Sequence, residues 1–200
     1  FVRGQRILYP LFSCIAAAAF ANAGIRVLLP LLVLRTLSMS ATQLGLLLSA
    51  GAIGGILGAL TRPAWITRLG IGRTLVITNI IGILVIVAQP ASIHAPGMAA
   101  WIIAVSGVAS SYFLTVYNVT QMSLRQEICP PDMLGRMNAI FRFAVWGVMP
   151  LGSFVAGIIA SWVGVEATMY IFTAASIAAG IAMGFTPAAR IRGTSAADVS

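Results

Sequence analysis

Two arginines stand inside long apolar stretches, and they are the residues of this chain best equipped for chemistry. Arg26 lies within Leu8–Leu34, nine residues before Arg35, and Arg142 lies within Met137–Val163. Nine helical residues span about 13 Å, so Arg26 falls near mid-stretch rather than at a rim. A guanidinium at the centre of a membrane helix costs about 2.5–3.5 kcal/mol on the lower insertion scales, and snorkelling from there needs a long reach. Asn22 sits one turn earlier on the same face. Two roles fit Arg26. It is a cavity group that attracts an anionic or polar substrate, or answers a carboxylate elsewhere in the protein; alternatively, it is paired structurally with helix carbonyls or a polar neighbour.

The fourth stretch, Met98–Met122, is the most polar, with Ser110, Ser111, Tyr112, Thr115, Tyr117, Asn118, Thr120 and Gln121. Ser111, Thr115 and Asn118 share one helical face, which suits either a cavity wall or hydrogen bonds between helices, typically about 0.6 kcal/mol each. In the fifth stretch Asn138, Arg142 and Trp146 share a face. Arg142 is about two turns from the helix end. Snorkelling or pairing with Glu127 or Asp132 therefore competes with a role as an inner gate. No aspartate or glutamate falls in an apolar stretch: Glu127, Asp132, Glu166 and Asp198 are all in connections or the tail. Proton coupling usually needs an intramembrane carboxylate, so a proton carrier, if one is used, lies outside this sequence. Cys14, Cys129 and the distant His94 have no metal-ligand spacing, and no nucleophile–base set or nucleotide loop is visible. No cofactor and no enzymatic activity are expected.

These residues need a scaffold, and composition names it. The chain is 60% hydrophobic and 8% charged, with mean hydropathy +1.00. Six apolar stretches run over 8–34, 42–61, 74–90, 98–122, 137–163 and 167–185. About 20 helical residues cross a hydrocarbon core, and the third stretch, at about 17, sits at the lower limit. The short alternating strands of a membrane barrel are missing. The expected fold is an all-α membrane protein with six transmembrane helices in a bundle over residues 1–187, followed by a tail at 188–200.

All 12 basic residues are arginine and the net charge is +8. They are scattered through connections rather than clustered with aromatics, which argues against nucleic acid and for membrane topology. Alternate connections place Arg3, Arg6, Arg62, Arg68, Arg73, Arg125, Arg136, Arg190 and Arg192 on one side and Arg35 on the other. By the positive-inside rule both ends of this segment are cytoplasmic, in an inner (plasma) membrane crossed several times. Residue 1 is phenylalanine, and the first stretch is too long for a signal-peptide core, so an upstream part of the protein is expected.

The inner connections carry the remaining motifs. Arg62–Arg73 holds Arg68, Gly70 and Arg73, with Gly70 and Gly72 suited to a tight turn. In Ser123–Arg136 the helix stops before Pro130, Asp132 is placed as an N-cap, and Asp132 with Arg136 forms an exposed pair worth about 0.3–0.5 kcal/mol. Three helices, a connection and three more fit a 3+3 inverted repeat, although no residue-level repeat is visible between Leu8–Pro90 and Met98–Phe185. Ala50, Gly54 and Gly58 form one small-residue row on the second helix, and Gly51, Gly55 and Ala59 form the next. Gly147, Pro150, Gly152 and Gly157 repeat the theme in the fifth.

Together these features resemble the C-terminal half, helices seven to twelve, of a major facilitator superfamily transporter. The segments Leu124-Arg125-Gln126, Pro131-Asp132-Met133-Leu134-Gly135-Arg136-Met137-Asn138-Ala139 and Trp146-Gly147-Val148-Met149-Pro150-Leu151-Gly152 are most similar to the branch of enterobactin exporters and macrolide-efflux permeases. The family's Asp-Arg-x-Gly-Arg loop is matched loosely by Arg68, Gly70 and Arg73, but Thr67 stands where its aspartate would be. The resemblance implies efflux of an amphipathic small molecule, such as a drug or siderophore, by alternating access against an N-terminal six-helix half. It makes Asn22, Arg26, Ser111, Thr115, Asn118 and Trp146 candidates for the substrate cavity. Arg68, Gly70, Arg73, Asp132, Arg136 and Arg142 become candidates for the cytoplasmic loops and gate. The implied partners are the lipid bilayer, that N-terminal half and the substrate. A rival is a six-helix scaffold or sensor that dimerises through its glycine faces.

Overall fold

A computed structural model describes residues 8–128 and 134–184. Its helices are α1 (Leu8–Leu31), α2 (Ala41–Leu69), α3 (Ile71–Ile86), the single turn α4 (Ala88–Ala91), α5 (Ala99–Ile128), α6 (Leu134–Val163) and α7 (Val165–Gly184). A π turn, Leu32–Thr36, extends α1, and 3₁₀ turns at Ser92–His94 and Pro96–Met98 bridge α4 to α5. No strand occurs among the described residues. Six helices are long and apolar enough to cross a membrane. All-helical architecture follows from hydrocarbon itself, which leaves backbone groups no partner outside the helix.

Local signals set the boundaries. Ser38, with φ 52°, ends the first helix. Ser40 then caps α2 with a reciprocal box: its Oγ accepts from the Gln43 amide at 3.2 Å, and its own amide donates to Gln43 Oε1 at 2.8 Å. Between α2 and α3 the link is Gly70 alone, with φ 77° and ψ 166°, a conformation nearly confined to glycine. This corrects the expected inner loop Arg62–Arg73. Arg62 and Arg68 are helical, and Gly72 is buried within α3 rather than forming a turn. The drop in hydropathy at Arg62 marks a change of surroundings, not the end of the helix. Arginine is a good helix former, and Pro63 removes one backbone bond without ending the helix. For the same reason α5 runs past Met122 to Ile128.

The bundle is interleaved. α1 packs on α6 and α7, α2 packs on α5, and α3 packs on α5 and α7, whereas α2 and α3, and α6 and α7, touch little. Exchanging α1, α2 and α3 with α5, α6 and α7 turns each of these pairings into another of the same set. Helices three crossings apart enter from opposite ends, so the repeat is inverted. It also holds residue by residue, where the sequence shows nothing. A Cβ on Gly54 would overlap the Val108 carbonyl, and one on Gly152 would overlap the Phe20 carbonyl. Four residues on, Gly58 meets the Tyr112 carbonyl, and Gly24 meets Ala156. Each repeat thus lays its second helix along the first helix of the other. Two apolar clusters fill the bundle: Ile15, Ile71, Leu75, Tyr117, Leu124 and Phe141 near the arginine-rich end, and Ala21, Ile25, Leu28, Leu32, Ala156, Met169 and Phe172 toward the other.

Candidate functional site

α1 carries an exposed charge within its apolar span. Arg26 lies near the centre of the apolar span Ser13–Thr36 and is exposed, while its neighbours Ile25 and Leu28 are buried. No hydrogen bond or ion pair engages its guanidinium among the described residues. Pro30 lacks an amide hydrogen, so the Arg26 carbonyl loses its partner one turn ahead. Asn22, one turn back on the same face, is half-buried. Its Nδ2 donates to the Ala18 carbonyl at 2.8 Å and to Ser176 Oγ on α7 at 3.1 Å.

The polar face of α5 divides. Ser111 and Thr115 are directed at α2: a Cβ on Gly51 would lie 3.1 Å from Ser111 Oγ, and one on Gly55 would lie 3.4 Å from Thr115 Oγ1. They fill the seam between the two helices, whereas Asn118, further along, is exposed. On α6 the Arg142 guanidinium lies 5.0 Å from the centre of the Trp146 ring, and both side chains are exposed. That cation–π contact is worth about 0.5–1 kcal/mol at an exposed site. Asn138 is half-buried on the same helix. Arg68 and Arg73 are exposed on either side of the Gly70 link. The Asp132 cap, the Asp132–Arg136 pair and any pairing of Arg142 with Glu127 or Asp132 fall on side chains outside the described residues.

The structure therefore brings Arg142 and Trp146 into contact, packs Ser111 and Thr115 against α2, and leaves Asn22 and Arg26 one turn apart on α1, in three separate places. It also reveals a polar cluster that sequence reasoning missed. Tyr112 Oη on α5 receives the Trp65 Nε1 hydrogen at 2.8 Å and shares a 2.7 Å hydrogen bond with Thr61 Oγ1, both on α2. Arg62 Nη2 donates to Ser123 Oγ at 2.6 Å, with its Nε buried and unpartnered among the described residues. A signal existed in the amphipathic rings, since Tyr and Trp seek partners for their polar ends when packed. The loop assigned to Arg62–Arg73 hid it.

At the opposite end, a cavity of about 410 Å³ is lined by Thr36, Ile93, Val163, Glu166 and Tyr170, among others. His94 Nδ1 stands 3.7 Å from Glu166 Oε1 at its edge, an exposed pair. Glu166 also occupies the first turn of α7, where a carboxylate complements the helix dipole. Among the described residues no group of three or more His, Cys, Asp or Glu side chains gathers to hold a metal.

Comparison with known families places this arrangement. The family model described as Major Facilitator Superfamily matches residues 11–198. No curated protein and no solved structure matches the chain.

Proposed function

Because the chain belongs to the Major Facilitator Superfamily, a family of membrane transporters, we propose that it forms the C-terminal six-helix half of a secondary transporter. It exports an amphipathic small molecule, a drug or siderophore, by rocking against an N-terminal half around a midplane site. The observation that carries this reading is Arg26: a guanidinium that is exposed and, among the described residues, unpaired near the middle of an apolar span is costly to keep unless it meets something polar. In a transporter, that partner is substrate in a wet cavity. Export is supported by the similarity of the Pro131–Ala139 and Trp146–Gly152 segments to efflux permeases. The uneven distribution of arginines supports an inner-membrane orientation with both ends of this segment cytoplasmic.

The surfaces of α2 and α6 are open to lipid or to a partner half. Both leave most of their apolar side chains uncovered, including Leu46, Ile53, Ile56 and Leu60 on one and Phe143, Phe154 and Ile158 on the other. For the scaffold or sensor alternative, the α2 glycine rows are already occupied by α5, whereas Gly147 and Gly157 on α6 stay open. In the complete protein, Arg26→Ala lowers transport about tenfold, the equivalent of about 1.4 kcal/mol, while membrane insertion is unchanged. Efflux from inverted vesicles measures this, and undiminished transport rules out the cavity role. A drug and siderophore susceptibility panel on cells with the full gene deleted and restored identifies the substrate class.

A further inference from the structure

The carboxamide of Asn22 has a single workable orientation. The Ala18 carbonyl can only accept, so the atom 2.8 Å from it is Nδ2, and the same nitrogen donates to Ser176 Oγ. Ser176 is fully buried on α7, so this second contact is held by the packing of α1 against α7. With both N–H groups engaged, Oδ1 is the polar atom that Asn22 has left to offer, and it can only accept. One turn along the same face, Arg26 offers only donors and a full positive charge. Residues four apart on a helix have Cβ atoms about 5–6 Å apart, close enough for both side chains to reach one small molecule.

This juxtaposition discriminates. A bare anion satisfies Arg26 and leaves the Asn22 oxygen unmet. An amine satisfies the oxygen and is repelled by Arg26. A ligand with an anionic group and an adjacent hydroxyl or amide N–H satisfies both. We propose that Asn22 and Arg26 form a two-point subsite for an organic acid bearing a hydrogen-bond donor beside its carboxylate. Ser176 is the positioning residue that keeps the Asn22 oxygen turned toward that ligand. The proposal rests on the transport reading above and names the chemistry that the same α1 face accepts.

Mandelate and phenylacetate differ by one such hydroxyl and serve as probes. Equilibrium dialysis of each radiolabelled acid is performed with the full-length protein in lipid nanodiscs. The wild type is expected to prefer mandelate by about tenfold, as sites built to bond a hydroxyl reject analogues without it. Arg26→Ala weakens both acids. Asn22→Ala and Ser176→Ala bring the ratio toward one and leave phenylacetate binding in place, while Ser176→Thr, which keeps the hydroxyl, restores the preference. Retained phenylacetate binding shows that each variant is folded, and the two alanine variants test the ratio independently. Equal binding of both acids by the wild type, or an unchanged ratio in Asn22→Ala, overturns the subsite alone. Binding of neither acid by the wild type also overturns the subsite, whereas the substrate role of Arg26 falls only if Arg26→Ala leaves transport undiminished.

Discussion

Single side chains in this bundle do two kinds of work, and only one kind is visible in the sequence. A charge within an apolar stretch stands out wherever it falls, so Arg26 and its neighbour Asn22 were legible from composition and helical spacing. The fate of Ser111 and Thr115 was not, because it depends on the register of α5 against the α2 glycines, which no local pattern encodes. The Tyr112 cluster was hidden for a related reason: its α2 partners lie where hydropathy falls although the helix continues. Removing the hydroxyl in Tyr112→Phe leaves the Trp65 N–H and the Thr61 hydroxyl without that partner. The expected loss is about 1 kcal/mol, at the upper part of the range for membrane hydrogen bonds. Thermal unfolding in detergent, followed by circular dichroism, measures it. His94→Ala is the contrasting case. Its contact with Glu166 is exposed at 3.7 Å, so stability is expected to stay within about 0.5 kcal/mol of wild type.

Among helices, contact is made backbone to backbone. Lipid is as apolar as leucine, so association relies on close packing, and glycine permits the closest approach. Gly54→Ala and Gly152→Ala each drive a methyl group into a carbonyl of the facing helix, and the two should be similarly damaging because they are equivalent in the repeat. Gly157→Ala meets open space and should be tolerated. Size-exclusion profiles and melting temperatures in detergent separate these outcomes; equal tolerance at all three positions would contradict the packing. Gly70→Ala belongs with the damaging pair for a different reason, since its backbone conformation costs a residue with a Cβ about 1–3 kcal/mol. The small-residue rows themselves were legible as sequence, but their partners were not. Spacing names the face of one helix and says nothing about which helix covers it.

Across the whole molecule, six crossings were legible from hydropathy, and the inverted repeat only from helix count. The repeat escaped residue-level detection because what it preserves is the closeness of two backbones, which Gly58 facing Tyr112 and Ala156 facing Gly24 achieve with different side chains. Orientation in the bilayer has its own test. In a full-length protein freed of native cysteines, Arg35→Cys should react with a membrane-impermeant maleimide in intact cells, and Arg68→Cys only in inverted vesicles. Labelling of Arg68→Cys in intact cells would refute the proposed orientation. The interleaving has a consequence for biogenesis. Since α1 rests on α6 and α7, and α2 on α5, the helices α1, α2 and α3 leave the ribosome with few contacts to make among themselves. They must wait in the lipid as separate rods until the second triplet is threaded between them. A nascent chain stalled at His94 would then be inserted yet unassembled, and open to the insertases and proteases that patrol unfinished membrane proteins.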